Sequence, residues 1–193
     1  CLYKFKRNRE FVKNFRSFLN PPYGDNIPGL LLSNKELRKL VSDIFKDKGF
    51  KLELKPKESK LAIAKDVDGD IYSYPYFSVS ETLQRIVFML LAIETNKNMI
   101  LLFDEPEANT FPFYTKYIAE RIALDKSNQY FFTTHNPYLL MSIIEKTPAK
   151  ELNIVVTNMK KFETKCYPLN SKQIEKMIEM GYDVYFNINK FTK

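Results

Sequence analysis

Two acidic residues stand directly behind a short apolar run: Met99, Ile100, Leu101, Leu102 and Phe103 precede Asp104 and Glu105, and Pro106 breaks the backbone after them. A run this short reads as a strand buried on both faces, of the kind found in the middle of a parallel sheet. Ligands of open α/β sheets gather at the carboxyl ends of such strands. Carboxylates delivered there are costly to hold near a packed core unless a cation or a reaction uses them. The stretch also reads as a strand followed by an acidic helix start, since Asp and Glu favour helix N-termini. His135, the single histidine of the chain, follows a second apolar segment, residues 129–134 with Tyr130, Phe131 and Phe132. If the two segments are neighbouring parallel strands, the acids and the imidazole emerge at one edge of the sheet. Three titratable groups so placed read as a site.

Elimination narrows the chemistry. One histidine and two separated cysteines, Cys1 and Cys166, cannot build a zinc site of the usual ligand count. The sequence holds no G-x-S-x-G turn for a hydrolase nucleophile. It holds no G-x-G-x-x-G either, its five glycines being scattered. An Asp-Glu pair near a neutral imidazole suits a hydrated Mg²⁺ and a phosphoryl group: the Asp binds the cation through water, the Glu polarises an attacking water, and the His meets the γ-phosphate.

The elements that must position these groups follow from periodicity. Phe11, Val12, Phe15, Phe18 and Leu19 recur at helical spacing over residues 9–19, and Asn20-Pro21-Pro22 stops that helix. A second helix, capped by Ser33 or Asn34, carries Leu37, Leu40, Val41, Ile44 and Phe45 and ends at Gly49. Residues 50–55, 60–65 and 71–76 alternate apolar and polar side chains as an antiparallel meander. A helix from Ser80 with Leu83, Ile86, Val87, Leu90 and Leu91 leads into the strand at 99–103. Helices from Pro112 to about Lys126 and from Pro137 to about Glu145 alternate with strands at 129–134 and 152–157, which predicts parallel β-α-β units. Residues 161–168 pair back as a hairpin, 171–180 form a helix stopped by Gly181, and 182–193 form a tail.

Composition sets outer bounds. The 193 residues, with 16 Phe and 12 Tyr, suffice for one domain with a real core. The longest apolar run, Ile86 to Ile93, falls short of the roughly 18 residues of a membrane helix. No secretory signal pattern opens the chain, and the cysteine usage predicts a reducing, cytoplasmic setting. Cys1 in the place of a methionine predicts a piece of something longer. The net charge of +7 is concentrated at the start, where Lys4, Lys6, Arg7, Arg9, Lys13 and Arg16 face only Glu10. Such a patch can neutralise nucleic-acid phosphates, although a solvated helix face is the commoner use.

Asp104-Glu105-Pro106-Glu107 after an apolar strand resembles the Walker B segment of ABC-type ATPases. Thr133-Thr134-His135-Asn136-Pro137 resembles their switch-histidine loop, and residues 77–85 (FSVSETLQR) stand where they carry the signature motif. The DEPE and TTHNP forms resemble the SMC-like and OLD-like soluble members of that superfamily. The resemblance implies an α/β fold, the parallel β-α-β core of a P-loop NTPase C-terminal lobe, with a basic helical segment over 1–49 and the lobe over 50–193. It implies Asp104 as the Mg²⁺ residue, Glu105 as catalytic base, His135 as sensor of the γ-phosphate, Asn109 and Thr110 in the D-loop, and Ser80 meeting ATP bound on an opposite subunit. Homodimerisation on ATP follows from the same likeness, with DNA repair or phage defence as processes such ATPases serve.

Two departures stand out. Glu81 and Thr82 replace the glycines that normally follow the signature serine, placing a negative charge where phosphates would come. No G-x-x-x-x-G-K-[ST] occurs, so these residues lack the amides and lysine that cradle the phosphates, and no strand for a Q-loop is evident. The expectation is therefore half of an ATPase, nearly inactive until an N-terminal P-loop lobe is supplied. The alternatives are a degenerate cassette acting as a basic nucleic-acid- or protein-binding module, and a metal-dependent nuclease built on Asp104, Glu105 and Glu107.

Overall fold

In the computed structural model, which describes residues 1–192 and only the backbone of Tyr182 and Asp183, the chain opens with a two-residue strand, β1 (Leu2–Tyr3). Helices α1 (Ile27–Ser33) and α2 (Lys35–Lys46) follow, and Asn34 caps the second by accepting from the Glu36 and Leu37 amides, both at 3.0 Å. The alternating segments form strands β2 (Lys51–Lys55), β3 (Lys60–Val67) and β4 (Asp70–Pro75), an antiparallel meander as their period requires. Then come α3 (Glu81–Thr95), β5 (Ile100–Asp104), α4 (Pro112–Leu124), β6 (Gln129–Thr133) and α5 (Pro137–Lys146). The hairpin β7 (Val155–Lys160) and β8 (Glu163–Pro168) precedes α6 (Ser171–Met180).

These elements divide into two compact units, residues 1–111 with 127–133, and residues 112–126 with 134–193. The boundary expected at residue 49 falls inside the first. In the first unit β1, β5 and β6 form a parallel sheet with β5 in the centre. Its inner face is aromatic: the Tyr3 ring stacks on Phe103 at 5.8 Å and meets Phe88 of α3 edge-on at 6.0 Å. Ile86, Leu90 and Leu91 of α3 and Leu101 of β5 are fully buried with them. In the second unit α5 and α6 enclose Met141, Ile144, Ile174 and Met177, with Val156 from β7. No helix among the described residues is long and apolar enough to cross a membrane.

Four expectations are corrected. Residues 9–19 form no helix; Val12 donates its amide to Asp25 and Lys4 to Pro22, so long-range bonds to the proline-rich turn override helical periodicity. The segment at 152–157 does not extend the parallel sheet, because its strand pairs antiparallel with β8 instead. The third parallel strand is β1, too short to show a period and lying where no strand was expected. The tail expected over 182–193 is structured instead: residues 181–191 form 3-10 turns whose Val184 and Phe191 enter the second core, while Lys193 lies outside the described residues. In addition, β5 is buried on one face only. Leu101 and Phe103 are covered, whereas Ile100 and Leu102 are 51% and 40% exposed.

The irregular N-terminal segment depends on one close approach. A Cβ at Gly29, inside α1, would lie 1.9 Å from the Asn14 carbonyl oxygen. Gly29→Ala is therefore expected to destabilise the protein by about 1–3 kcal/mol through overpacking, measured as a lowered urea midpoint. A midpoint equal to or above the parent's would contradict the packing described.

Candidate functional site

Parallel pairing of β5 with β6 sets Asp104 opposite Thr133 at the carboxyl ends of both strands. Thr133 Oγ1 donates to Asp104 Oδ1 at 2.5 Å, and the Glu105 amide donates to Thr133, its carbonyl and its Oγ1 each lying 3.2 Å away. Glu105 adopts φ +43°, a left-handed conformation that a long side chain rarely takes, and Asn109 follows at +56°. Between them the chain makes two overlapping turns: Ala108 N–H to the Glu105 carbonyl and Thr110 N–H to that of Glu107, both 3.0 Å. Thr110 Oγ1 donates to the same Glu107 carbonyl at 2.6 Å. Asp104 is exposed at the strand end.

The start of α3 belongs to the same unit. Ser80 is its N-cap, with Oγ accepting from the Leu83 amide at 3.4 Å. Thr82 Oγ1 donates to the Asn109 carbonyl at 2.8 Å, and Asn109 Nδ2 donates to Glu81 Oε1 at 3.0 Å. Arg85, one turn on, pairs with the same Glu81 oxygen at 3.1 Å, while its guanidinium lies 4.4 Å from the centre of the Phe5 ring. The Glu81 carboxyl is held below the usual range, first by the Asn109 amide and then by Arg85, with Arg7 adding its charge. The Glu81 carboxylate is thus engaged by groups of its own chain.

His135 sits two residues beyond β6, exposed, in the second unit, where Asn136 caps α5 by accepting from the Tyr138 and Leu139 amides. The structure therefore joins Asp104 and Glu105 to Thr133, and joins Asn109 to the start of α3 that Ser80 caps. Sequence reasoning missed Thr133 and Arg85 as site residues. The Thr133 hydroxyl lies inside the TTHNP motif, and Glu81 and Arg85 have the i,i+4 spacing of a helical ion pair.

Among the described residues no group of three His, Cys, Asp or Glu side chains converges as a metal cage. One exposed carboxylate beside a hydroxyl still fits Mg²⁺, which keeps several waters and takes one or two protein carboxylates besides phosphate oxygens. It does not fit a cation that demands a full protein shell.

Residues 7–142 match the model of the family described as "AAA domain, putative AbiEii toxin, Type IV TA system". The chain belongs to this family. It is a domain of the nucleotide-binding ATPases. A search of the curated proteins finds no match. Among solved structures, one described as "Structural biochemistry of ATP-driven dimerization and DNA stimulated activation of SMC ATPases" is 18% identical with a TM-score of 0.52, covering 77% of this chain and 92% of the other. The Smc head domain of Pyrococcus furiosus bound to the C-terminal domain of ScpA matches at 18% identity and TM-score 0.52, over 78% of this chain and 39% of its own. An SmcHead bound to the C-winged helix domain of ScpA matches at 17% and 0.52, over 77% and 46%. These likenesses show a fold shared with SMC heads: a mixed α/β domain with a parallel sheet.

In this AAA domain the depressed Glu81 acidity has a measurable sign. A carboxyl whose folded pKa is lowered contributes stability above its unfolded value, about 4.3, and that contribution is lost as pH falls through the folded value. Urea unfolding followed from pH 6 to pH 3 is expected to show a shallower loss of stability in Glu81→Gln than in the parent. Identical slopes would mean that Glu81 is not paired in the folded state.

Proposed function

We propose that this AAA domain is the half of an ATPase that carries the hydrolytic acids, and that it turns over Mg-ATP once a P-loop lobe is supplied and two subunits meet head to tail. The pairing of Asp104 with Thr133 at the carboxyl ends of neighbouring parallel strands carries this reading. There an exposed carboxylate and a fixed hydroxyl face solvent beside Glu105.

In the proposed roles Asp104 holds Mg²⁺, whose charge would neutralise the β- and γ-phosphates. Glu105 takes a proton from the attacking water. His135 contacts the γ-phosphate, Asn109 and Thr110 shape the D-loop, and Ser80 meets the nucleotide of the opposite subunit at the N-terminus of α3. ATP then holds two heads together and hydrolysis releases them, in a reducing, cytoplasmic setting.

A missing lobe is supported by the sheet itself. Parallel sheets are normally covered on both faces. Here Leu2, Leu102 and Phe131 line up in register across β1, β5 and β6, and are 43%, 40% and 55% exposed. Among the described residues β6 has a strand on one side only. A P-loop lobe that adds a strand beside β6 and covers this row would bring the phosphate cradle to the edge where Asp104 lies.

Residues 1–193 alone are expected to bind ATP weakly and to hydrolyse it at a rate near background. With a P-loop lobe, turnover should appear, and Glu105→Gln should cut kcat by about 10²–10⁴, the usual contribution of a general base, while nucleotide stays bound. Robust ATPase activity from residues 1–193 alone would overturn this account.

A second reading, a nucleic-acid surface, is favoured by the same segment that failed to form a helix. Lys4, Lys6, Arg7, Arg9, Lys13 and Arg16 are all exposed along an irregular stretch, with Lys6 over the Tyr23 ring and Arg9 over Phe77. Neutralising Lys6, Arg7, Arg9 and Lys13 together should weaken duplex DNA binding and flatten its salt dependence by about one unit of slope for each phosphate no longer neutralised. Unchanged affinity across a salt titration would leave the patch as solvated surface.

A further inference from the structure

We infer that Glu81 and Asn109 form a latch between the first turn of α3 and the loop after β5, and that this latch positions Glu105. The inference rests on the ATPase reading for its consequence, but not for its geometry. The loop from Glu105 to Thr110 is fastened at both ends. At its start, the Glu105 amide donates to Thr133. At its end, Asn109 is held twice: its side-chain amide by Glu81, 3.0 Å away, and its carbonyl by the Thr82 hydroxyl, 2.8 Å away. The overlapping turns through Ala108 and Thr110 leave little slack between those fastenings. A glutamate at φ +43° is strained, and such a conformation persists only where its surroundings over-determine it. Asn109 supplies that determination at little cost, since asparagine tolerates the left-handed region.

Glu81 is itself aimed. Arg85 is largely buried beneath Phe5, so its charge needs a partner, and the Glu81 oxygen it pairs with is the one that accepts from Asn109. Glu81 is therefore a positioning residue acting through Asn109, rather than a stray charge at the phosphate site. The latch also connects Ser80, one residue before Glu81, to the loop of Glu105. A nucleotide that displaces the first turn of α3 would move the base.

The test reverses the polarity of the bond. Asn109→Asp keeps the backbone preference but opposes two carboxylates, whereas Glu81→Gln with Asn109→Asp restores a bond with donor and acceptor exchanged. With a P-loop lobe supplied, Asn109→Asp is expected to lower kcat about tenfold, by misplacing the base, with KM within about twofold of the parent. The double variant is expected to recover kcat to within about threefold. The readouts specific to positioning are the fall in kcat at unchanged KM and the Glu105 amide resonance, since relief of the repulsion alone would repair a loss of stability as well. Unaltered kcat in Asn109→Asp, a change confined to KM, or a double variant no better than the single one overturns the inference. If the parent protein shows no turnover, the ATPase reading falls and the latch is judged on the Glu105 backbone amide resonance in ¹⁵N-glutamate-labelled protein. A shift in Asn109→Asp that reverts in the double variant upholds the coupling, and an unmoved resonance overturns it.

Discussion

The register of β5 against β6 is fixed at the edge of the sheet farthest from the acids. There a chain of hydrogen bonds, buried at Tyr3 and Asn96 and exposed at Met99, joins β1, the end of α3 and the residues before β5 and β6. Tyr3 Oη donates to the Leu19 carbonyl and accepts from Asn96 Nδ2, each at 2.8 Å. Asn96 offers its carbonyl to Asn128 at 2.8 Å, and Asn128 Oδ1 accepts from the Met99 amide at 3.0 Å. Sliding β6 against β5 would break both Asn128 bonds together, and leaving the half-buried Asn128 amide unmet costs about 1–3 kcal/mol. A slip of one residue would also carry Asp104 to the face where Phe103 stacks on Tyr3, since side chains alternate with a period of two. A carboxylate there would be desolvated without a partner. The amide chain at one end of the strands thus determines that Asp104 meets Thr133 at the other.

Everything beyond the strand ends hangs on that pairing. Thr133 receives the Glu105 amide, which starts the left-handed turn, and the turn delivers Asn109 to the first residues of α3. Helix α3 can serve as the anchor because it is buried nearly all round, from Ile86 to Ile93. A helix held by so much apolar area does not shift to suit a loop, so the loop conforms to the helix. Glu81 and Thr82 are well suited to this anchoring: one provides an acceptor for an amide and the other a donor for a carbonyl.

What the sequence made legible were the features that depend on local pattern. The meander was readable because apolar and polar residues alternate along its segments with turn residues between them, α3 because of its long apolar stripe, and β5 and β6 because their apolar runs are too short for helices. Asp104 was placed correctly at a strand end by the abrupt change from Phe103 to acid. The failures are equally physical. Helical spacing of Phe11, Phe15 and Phe18 was overridden by backbone bonds to a turn elsewhere in the chain, which no local period encodes. β1 has two residues and takes its identity from the partner it pairs with. Phe191 is buried through packing on a core assembled from distant segments, and nothing in its neighbours marks that. Glu81 looked like a misplaced charge because its partner Asn109 lies 28 positions away in sequence.

The bare face of the sheet bears on chemistry as well as on stability. Leu102 and Asp104 point to the same side of β5, and Phe131 and Thr133 to the same side of β6, so the apolar row and the candidate acids share one surface. In this chain that surface meets water, where a carboxylate is well solvated and its field is weak. A lobe that covers Leu2, Leu102 and Phe131 would remove apolar area from water and drive association. The same cover would lower the polarity around Asp104 and Glu105, and in the proposed ATPase charges there would act more strongly on a phosphoryl group once water is excluded. Assembly and activation would then be one event: the apolar residues supply the free energy for joining, and the drying that results strengthens the acids beside them.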